Sequence, residues 1–129
     1  MTDAVILIAD DVQIMQRLLA SAVQKLGFTR IITCSTASEV EAAYGAGNID
    51  LAFLDIQMPD KDGLVLLQEL LAAQPRAHVV MVSGQGSTQT IQRALALGAR
   101  GFMVKPYTSA KIKDAIARFH ERQPTELVL

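Results

Sequence analysis

Five polar residues each stand at the end of a short apolar run: Asp10 and Asp11 after 4–9, Asp55 after 50–54, Ser83 after 78–82, and Lys105 after 101–104. Together they offer three carboxylates, one hydroxyl and one ammonium. If the runs are strands of one sheet, with neighbours about 4.8 Å apart, these groups meet in a single crevice. Carboxylates that close repel one another, so a cation has to balance them. Hard, all-oxygen donors point to Mg²⁺, held by a few protein oxygens and several waters. The ammonium and the hydroxyl add donors for an anionic oxygen. Taken singly, each residue also suits a plainer role, since an Asp after a strand often caps a helix, a Ser forms a turn and a Lys stays solvated. Their convergence on one edge is what singles them out. The other apolar run, 30–33, is followed only by Cys34 and Ser35.

The elements that must position these groups follow from periodicity. The runs 4–9, 30–33, 50–54, 78–82 and 101–104 are of strand length, and most are apolar at successive positions, as parallel strands covered on both faces require. Between them lie helical segments. Val12, Met15, Leu18, Leu19, Ala22, Val23 and Leu26 follow i, i+3, i+4 spacing, and Gly27 stands where a left-handed C-terminal cap belongs. Thr36 with Glu39 fits a capping box opening a short second helix that fades near Gly45. A third helix covers 63–73, ended before Pro75, and a fourth covers 88–97, stopped by Gly98. A fifth covers 109–120 and buries Ile112, Ala115, Ile116 and Phe119. Strand and helix alternate five times, which predicts an α/β, doubly wound, five-stranded parallel sheet with helices on both faces. The stretch from Glu121, broken by Pro124, has no further helical period and is expected to be a linker or frayed end.

Composition sets the outer bounds. The chain has 129 residues, 50% of them hydrophobic and 19% charged, which suits one compact domain and excludes a disordered chain. Twelve basic and thirteen acidic side chains nearly cancel, so no basic footprint for nucleic acid is expected. The apolar run 4–9 is far below the roughly 20 residues that span a bilayer, and no secretion signal opens the chain, so membrane insertion is not expected. The single cysteine, Cys34, reads as a reduced thiol and makes the cytoplasm the expected location. His78, before the fourth strand, and His120, at the end of the fifth helix, have no partner cluster and read as structural or surface residues.

Asp10-Asp11, the segment from Asp55 through Gln57, Met58 and Pro59 to Gly63, Ser83-Gly84 and Lys105-Pro106 carry a resemblance to the receiver domain of two-component response regulators. The match covers the chain from about Ala4 to Glu121. It implies the flavodoxin-like strand order 2-1-3-4-5, a receiver unit over 1–122 and a tail or linker over 123–129. In that family the counterpart of Asp55 accepts a phosphoryl group, so the resemblance makes Asp55 the nucleophile. It makes Asp11 and Asp55 direct ligands of Mg²⁺ with the backbone carbonyl of Gln57, while Asp10 holds a metal-bound water. Ser83 and Lys105 contact the phosphoryl oxygens, and Lys105–Pro106 is expected to be a cis peptide. Gln57 and Gln85 flank the path of the hydrolytic water and would tune the lifetime of the acyl phosphate.

A receiver is a switch. The resemblance implies that Ser83 moves toward the phosphoryl group and that Phe102 turns into the vacated space, although Phe102 also suits an ordinary strand side chain. Lacking a hydroxyl, Phe102 offers no tyrosine oxygen to a partner. The responsive surface would comprise the fourth helix, fifth strand and fifth helix, with Tyr107 nearby and with Gly84-Gln85-Gly86 supplying backbone freedom. The implied partners are a histidine kinase or histidine phosphotransfer protein and a downstream protein target. Two outputs stay open, a stand-alone domain or the receiver segment of a longer protein, and so does a phosphorylation-dependent homodimer. The chain would catalyse only its own phosphorylation and dephosphorylation.

Other motifs fit less well. Asp60, Asp62, Gly63 and Glu69 fall at calcium-loop positions, but the first position is Met58. Gly84 to Thr88 lacks the Gly-Lys-Ser/Thr ending of a phosphate loop, and Gln89 replaces the third glycine of a dinucleotide fingerprint. A flavin phosphate would be repelled by Asp10-Asp11. A small Mg²⁺-dependent phosphohydrolase is the alternative reading, weakened because Gln57 stands where dehalogenase-type phosphatases carry a second Asp.

Overall fold

The structure, a computed structural model, describes residues 3–128, with side chains through residue 121. Chain order is β1 (Val5–Ala9), α1 (Gln13–Lys25), β2 (Arg30–Cys34), α2 (Ala37–Ala46), β3 (Leu51–Asp55), α3 (Gly63–Ala73), β4 (His78–Ser83), α4 (Thr88–Ala96), β5 (Gly101–Val104) and α5 (Ser109–Val128). The strands are all parallel, in the order β2-β1-β3-β4-β5. The flavodoxin-like, doubly wound fold read from the sequence is the fold observed.

The sheet separates two apolar layers. Leu7, Ala9, Ala52, Leu54, Val79 and Met81 point toward α2, α3 and α4, whereas Ile6, Ile8, Leu51, Phe53, Val80 and Val82 pack beneath α1 and α5. This is the period-2 alternation of strands buried on both faces. β3 and β4 are buried throughout, whereas of the edge strands β2 is largely exposed and β5 partly buried.

Local signals set most element ends. Thr36 and Glu39 form the reciprocal capping box, and Gly27 and Gly98 take left-handed conformations, φ 103° and 110°, that L side chains rarely adopt. Gly63 has a different reason to be glycine. Its N–H donates to the Ile56 carbonyl at 2.7 Å, and a Cβ there would fall 2.3 Å from the Asp55 carbonyl oxygen and 2.5 Å from the Ile56 Cα. The chain leaving Asp55 can therefore press against the start of α3.

Two expectations are corrected. In α1 the buried line is Gln16, Leu19 and Val23, while Val12, Leu18 and Leu26 are exposed. Packing against the sheet selects a narrower stripe than hydrophobicity suggests, and Leu18 and Leu26 instead line a groove of about 480 Å³ between α1 and α5. The stretch expected to be a tail is helical through Val128, with Leu129 outside the described residues. Pro124 removes one backbone hydrogen bond but does not end the helix. In the loop after β4, Gly86 leaves room for Val104, whose Cγ2 would lie 2.5 Å from a Cβ there.

His78 opens β4, buried edge-on to the Phe119 ring at 5.6 Å, and His120 stacks on Phe28 at 5.7 Å, so both histidines belong to the packing. Among the described residues no helix is long and apolar enough to cross a membrane. Gly63→Ala is expected to lower stability on the order of 3 kcal/mol, because backbone rather than a flexible side chain blocks the methyl group; urea unfolding measures the loss.

Candidate functional site

The carboxyl ends of β1, β3, β4 and β5 form one edge of the sheet, and the polar residues singled out above meet there. Asp10 and Asp55 are 5% and 3% exposed, and Asp11 is open to solvent. One carboxylate oxygen from each of the three can be chosen so that all lie within 4.8 Å of one another. Between the two buried acids sits Lys105, whose Nζ donates to Asp10 Oδ2 and to Asp55 Oδ2, both at 2.8 Å. The other oxygens are held by backbone. Asp10 Oδ1 accepts from the Val12 N–H at 2.9 Å, and Asp55 Oδ1 accepts from the Gln57 N–H at 3.0 Å.

Strand parity explains the meeting. Asp10, Asp55 and Lys105 continue the positions of Ile8, Phe53 and Met103, which pack under α1 and α5. Ser83 has the opposite parity, continuing Val79 and Met81 on the side of α4. It is buried, and its Oγ accepts from the Gln85 N–H at 3.0 Å. Lys105 is tied to this strand by its own N–H, which donates to the Ser83 carbonyl at 2.8 Å, and the Lys105–Pro106 peptide is cis. Phe102 pairs with Met81 across β4 and β5 and so lies on the same face as Ser83, half-buried against the α2–α4 layer. Gln57 and Gln85 are both exposed beside the crevice, after Asp55 and Ser83.

Electrostatics follow from burial and proximity. Burial pushes the Asp55 carboxyl above its usual value, with the charge of Asp10 adding to it, and the hydrogen bonds from Lys105 and Gln57 only partly oppose this. For Lys105 burial works downward, but the hydrogen bonds and charges of Asp10 and Asp55 outweigh it and the ammonium is held above its usual value. Burial and the charge of Asp10 likewise raise the Tyr107 phenol. Three carboxylates and one ammonium leave two negative charges over. A divalent cation matches that surplus, and the hard oxygen donors fit Mg²⁺ rather than a softer metal.

Asp60, Lys61 and Gln16, none of them assigned a site role from the sequence, brace the elements around the site. Asp60 Oδ1 and Oδ2 accept from the Ala37 and Ser38 N–H groups at 2.8 and 3.1 Å, fastening the loop after Asp55 to the start of α2. Lys61 is paired with Glu41 at 2.6 Å and Glu69 at 2.7 Å. With Asp62 accepting from the Leu64 N–H as the α3 cap, every acid of the apparent calcium loop has another task. Gln16, buried in α1, donates to the backbone at the ends of β1 and β2. The available signal was a polar residue within an apolar stripe, since buried polar atoms need partners.

The comparisons with known proteins agree with this geometry. A family model for the response regulator receiver domain matches residues 6–117. The chain is 30% identical over 113 residues to the chemotaxis protein CheY of Listeria monocytogenes, covering 88% of this chain and 95% of that one. Against CheY of Pseudomonas aeruginosa it is 31% identical over 119 residues, covering 91% and 96%. Among solved structures it is similar to the receiver domain of NtrX from Brucella abortus, with TM-score 0.84, 32% identity and coverage of 90% and 98%. It is also similar to a chain of the CheX-CheY-BeF3-Mg²⁺ complex from Borrelia burgdorferi, with TM-score 0.83, 32% identity and coverage of 88% and 86%. The chain belongs to the response regulator receiver family, whose members are signalling switches rather than conventional enzymes.

Two outcomes follow. The cost of burying the Asp55 charge is fully present above its raised folded value and absent once pH falls below the ordinary carboxylate range near 3.8. Without added metal, Asp55→Asn should therefore unfold at higher urea than the wild type at pH 7, and the gap should close as the solution is acidified. Burial and the charge of Glu39 raise the Cys34 thiol to about 11, so at pH 8 only about one thiol in a thousand is ionised. A disulfide reagent such as DTNB should label the native protein far more slowly than the urea-unfolded chain.

Proposed function

We propose that this receiver accepts a phosphoryl group on Asp55 from a phosphohistidine of a kinase or phosphotransfer protein. The reading rests on one observation: a buried carboxylate and an ammonium share a sheet edge with two further carboxylates. In the transfer the histidine N–P bond breaks and an Asp55 Oδ–P bond forms; the imidazole nitrogen keeps the electron pair of the broken bond. Lys105 already donates to the Asp55 oxygen and stands ready to follow charge onto the phosphoryl oxygens. Ser83, on the neighbouring strand, accepts from the Gln85 N–H through its oxygen and keeps its O–H free to donate to a phosphoryl oxygen. Asp11, Asp55 and the Gln57 carbonyl would hold Mg²⁺, with Asp10 acting through a bound water. When bound, the ion neutralises charge on the phosphoryl oxygens. That the similar Borrelia burgdorferi structure is a complex containing Mg²⁺ supports Mg²⁺ as the cation.

The switch reading rests on parity. Ser83 and Phe102 lie on one face of the sheet, under the α4 side, so movement of the hydroxyl toward the crevice opens space on the side where the half-buried ring sits. Rotation of Phe102 would then remodel the α4–β5–α5 face for a protein partner or a second copy of the chain. Gln57 and Gln85, exposed at the crevice rim, would govern water access and hence the lifetime of the acyl phosphate. The functional unit is taken as 1–122, acting in the cytoplasm, with the helical continuation of α5 as an extension of it.

Incubation with acetyl phosphate and Mg²⁺, followed by intact mass and amide NMR, tests the reading. A single labile phosphoryl adduct is expected, dependent on the metal, absent in Asp55→Asn, and accompanied by shifts reaching Phe102 and α4. Multiple turnover of a phosphate ester without an adduct would indicate a phosphohydrolase instead. Replacing both Gln57 and Gln85 by Ala should change the adduct half-life severalfold; an unchanged half-life would remove these two side chains from the account.

A further inference from the structure

We propose that Gln16 is the positioning residue that holds Asp10 and Asp11 in the geometry a divalent cation requires, an inference that rests on the Mg²⁺ reading above. The residue is 8% exposed and lies in α1, where the sheet-facing positions around it are Leu19 and Val23. Its amide Nε2 lies 2.5 Å from the Asp10 carbonyl oxygen, 3.0 Å from the Cys34 carbonyl oxygen and 2.9 Å from Ser35 Oγ, so its two N–H groups are shared among three acceptors. Two carbonyls face this atom, so it is the amide nitrogen and not the amide oxygen that points to them.

Location gives these bonds their meaning. The β1–β2 ladder ends with Ala9 opposite Cys34, followed by one more backbone bond from the Asp10 N–H to the Cys34 carbonyl at 3.0 Å. Beyond that point the two chains diverge, β1 into the acidic pair and β2 toward α2. Gln16 supplies the next rung from a helix side chain, clamping the Asp10 carbonyl between Asp10 and Asp11. Asp10 is thus held on three sides: its carboxylate by Lys105 and by the Val12 N–H, and its backbone by Gln16. Asp11 is exposed, and none of the side-chain bonds described above reaches it, so its placement depends on how firmly the preceding residue is fixed. Groups that orient metal ligands without touching the metal commonly carry about tenfold or more in affinity.

A natural control exists at the opposite end of the sheet. Gln74 makes three comparable bonds: Nε2 donates to the Tyr44 and Gly47 carbonyls, both at 2.8 Å, and Oε1 accepts from the Ile49 N–H at 2.7 Å. It joins α3 to the α2–β3 turn, far from the crevice. The test measures Mg²⁺ affinity by amide NMR titration, and stability by urea, for the wild type, Gln16→Leu, Gln16→Glu, Gln74→Leu and Asp11→Asn. Leu removes the donors at nearly constant volume, and Glu presents acceptors to carbonyl oxygens, so one variant remains should the other fail to fold. The expected result is an affinity about tenfold weaker in both Gln16 variants and unchanged in Gln74→Leu, although Gln74→Leu loses stability too. Wild-type affinity in a folded Gln16 variant, alongside loss in Asp11→Asn, would overturn the proposal and leave the Mg²⁺ reading standing. Equal weakening in Gln16→Leu and Gln74→Leu would reduce Gln16 to a general stability role. Absence of Mg²⁺-dependent shifts in the wild type would remove the Mg²⁺ reading and this inference with it.

Discussion

The sharing of one ammonium between two buried carboxylates organises this molecule. Asp10 and Asp55 stand on adjacent parallel strands, and either alone would be costly to bury charged. Lys105 comes from the far side of the sheet and reaches both. The arrangement requires the ends of three non-neighbouring chain segments to agree in register, so the parallel ladder and the charge network constrain each other. Removing the lysine would leave two buried acids without compensation, a loss that commonly exceeds what the ion pair itself contributes.

Around that network the protein invests backbone donors rather than further charges. The Val12 and Gln57 N–H groups each hold one buried acid, the Gln85 N–H holds Ser83, and the Ser83 carbonyl receives the Lys105 N–H. These donors come from loops just past the strand ends, where backbone groups are not used by the sheet. These bonds fix the groups of the crevice, which still carries a negative surplus. Both properties suit a site that recruits a cation and then an anion in turn.

The two faces of the sheet have different duties. The face under α1 and α5 carries the acids and the ammonium, while the face under α2, α3 and α4 carries Ser83 and Phe102. On the proposed reading, a group bound at the edge would be sensed on one face through the hydroxyl while being held from the other. On the α4 side, Val104 occupies the space that Gly86 leaves by lacking a Cβ, so the loop after Ser83 and the strand carrying Phe102 pack against each other directly.

Much of this was legible in the sequence. Successive apolar positions announced parallel strands, Thr36 with Glu39 announced a capped helix, Gly27 and Gly98 announced helix ends, and the acids, Ser83 and Lys105 stood at the strand ends where a doubly wound sheet places its site. Each is a local rule, in which residue type and spacing suffice. Tertiary structure alone decided the rest, because it depends on what meets across the fold. Leu18 and Leu26 have the right period for burial but lie outside the strip of α1 that touches the sheet. Gln16 looks like an interruption until its donors are seen to face the carbonyls of Asp10 and Cys34, eighteen residues apart from Gln16 in the latter case. Asp60 resembles a fragment of a calcium loop until the Ala37 N–H at the start of α2 is seen to donate to it. Sequence determined the elements and which chemical groups stand at their ends; only packing and register could decide which of those groups share a proton donor, because that is fixed by distance through space.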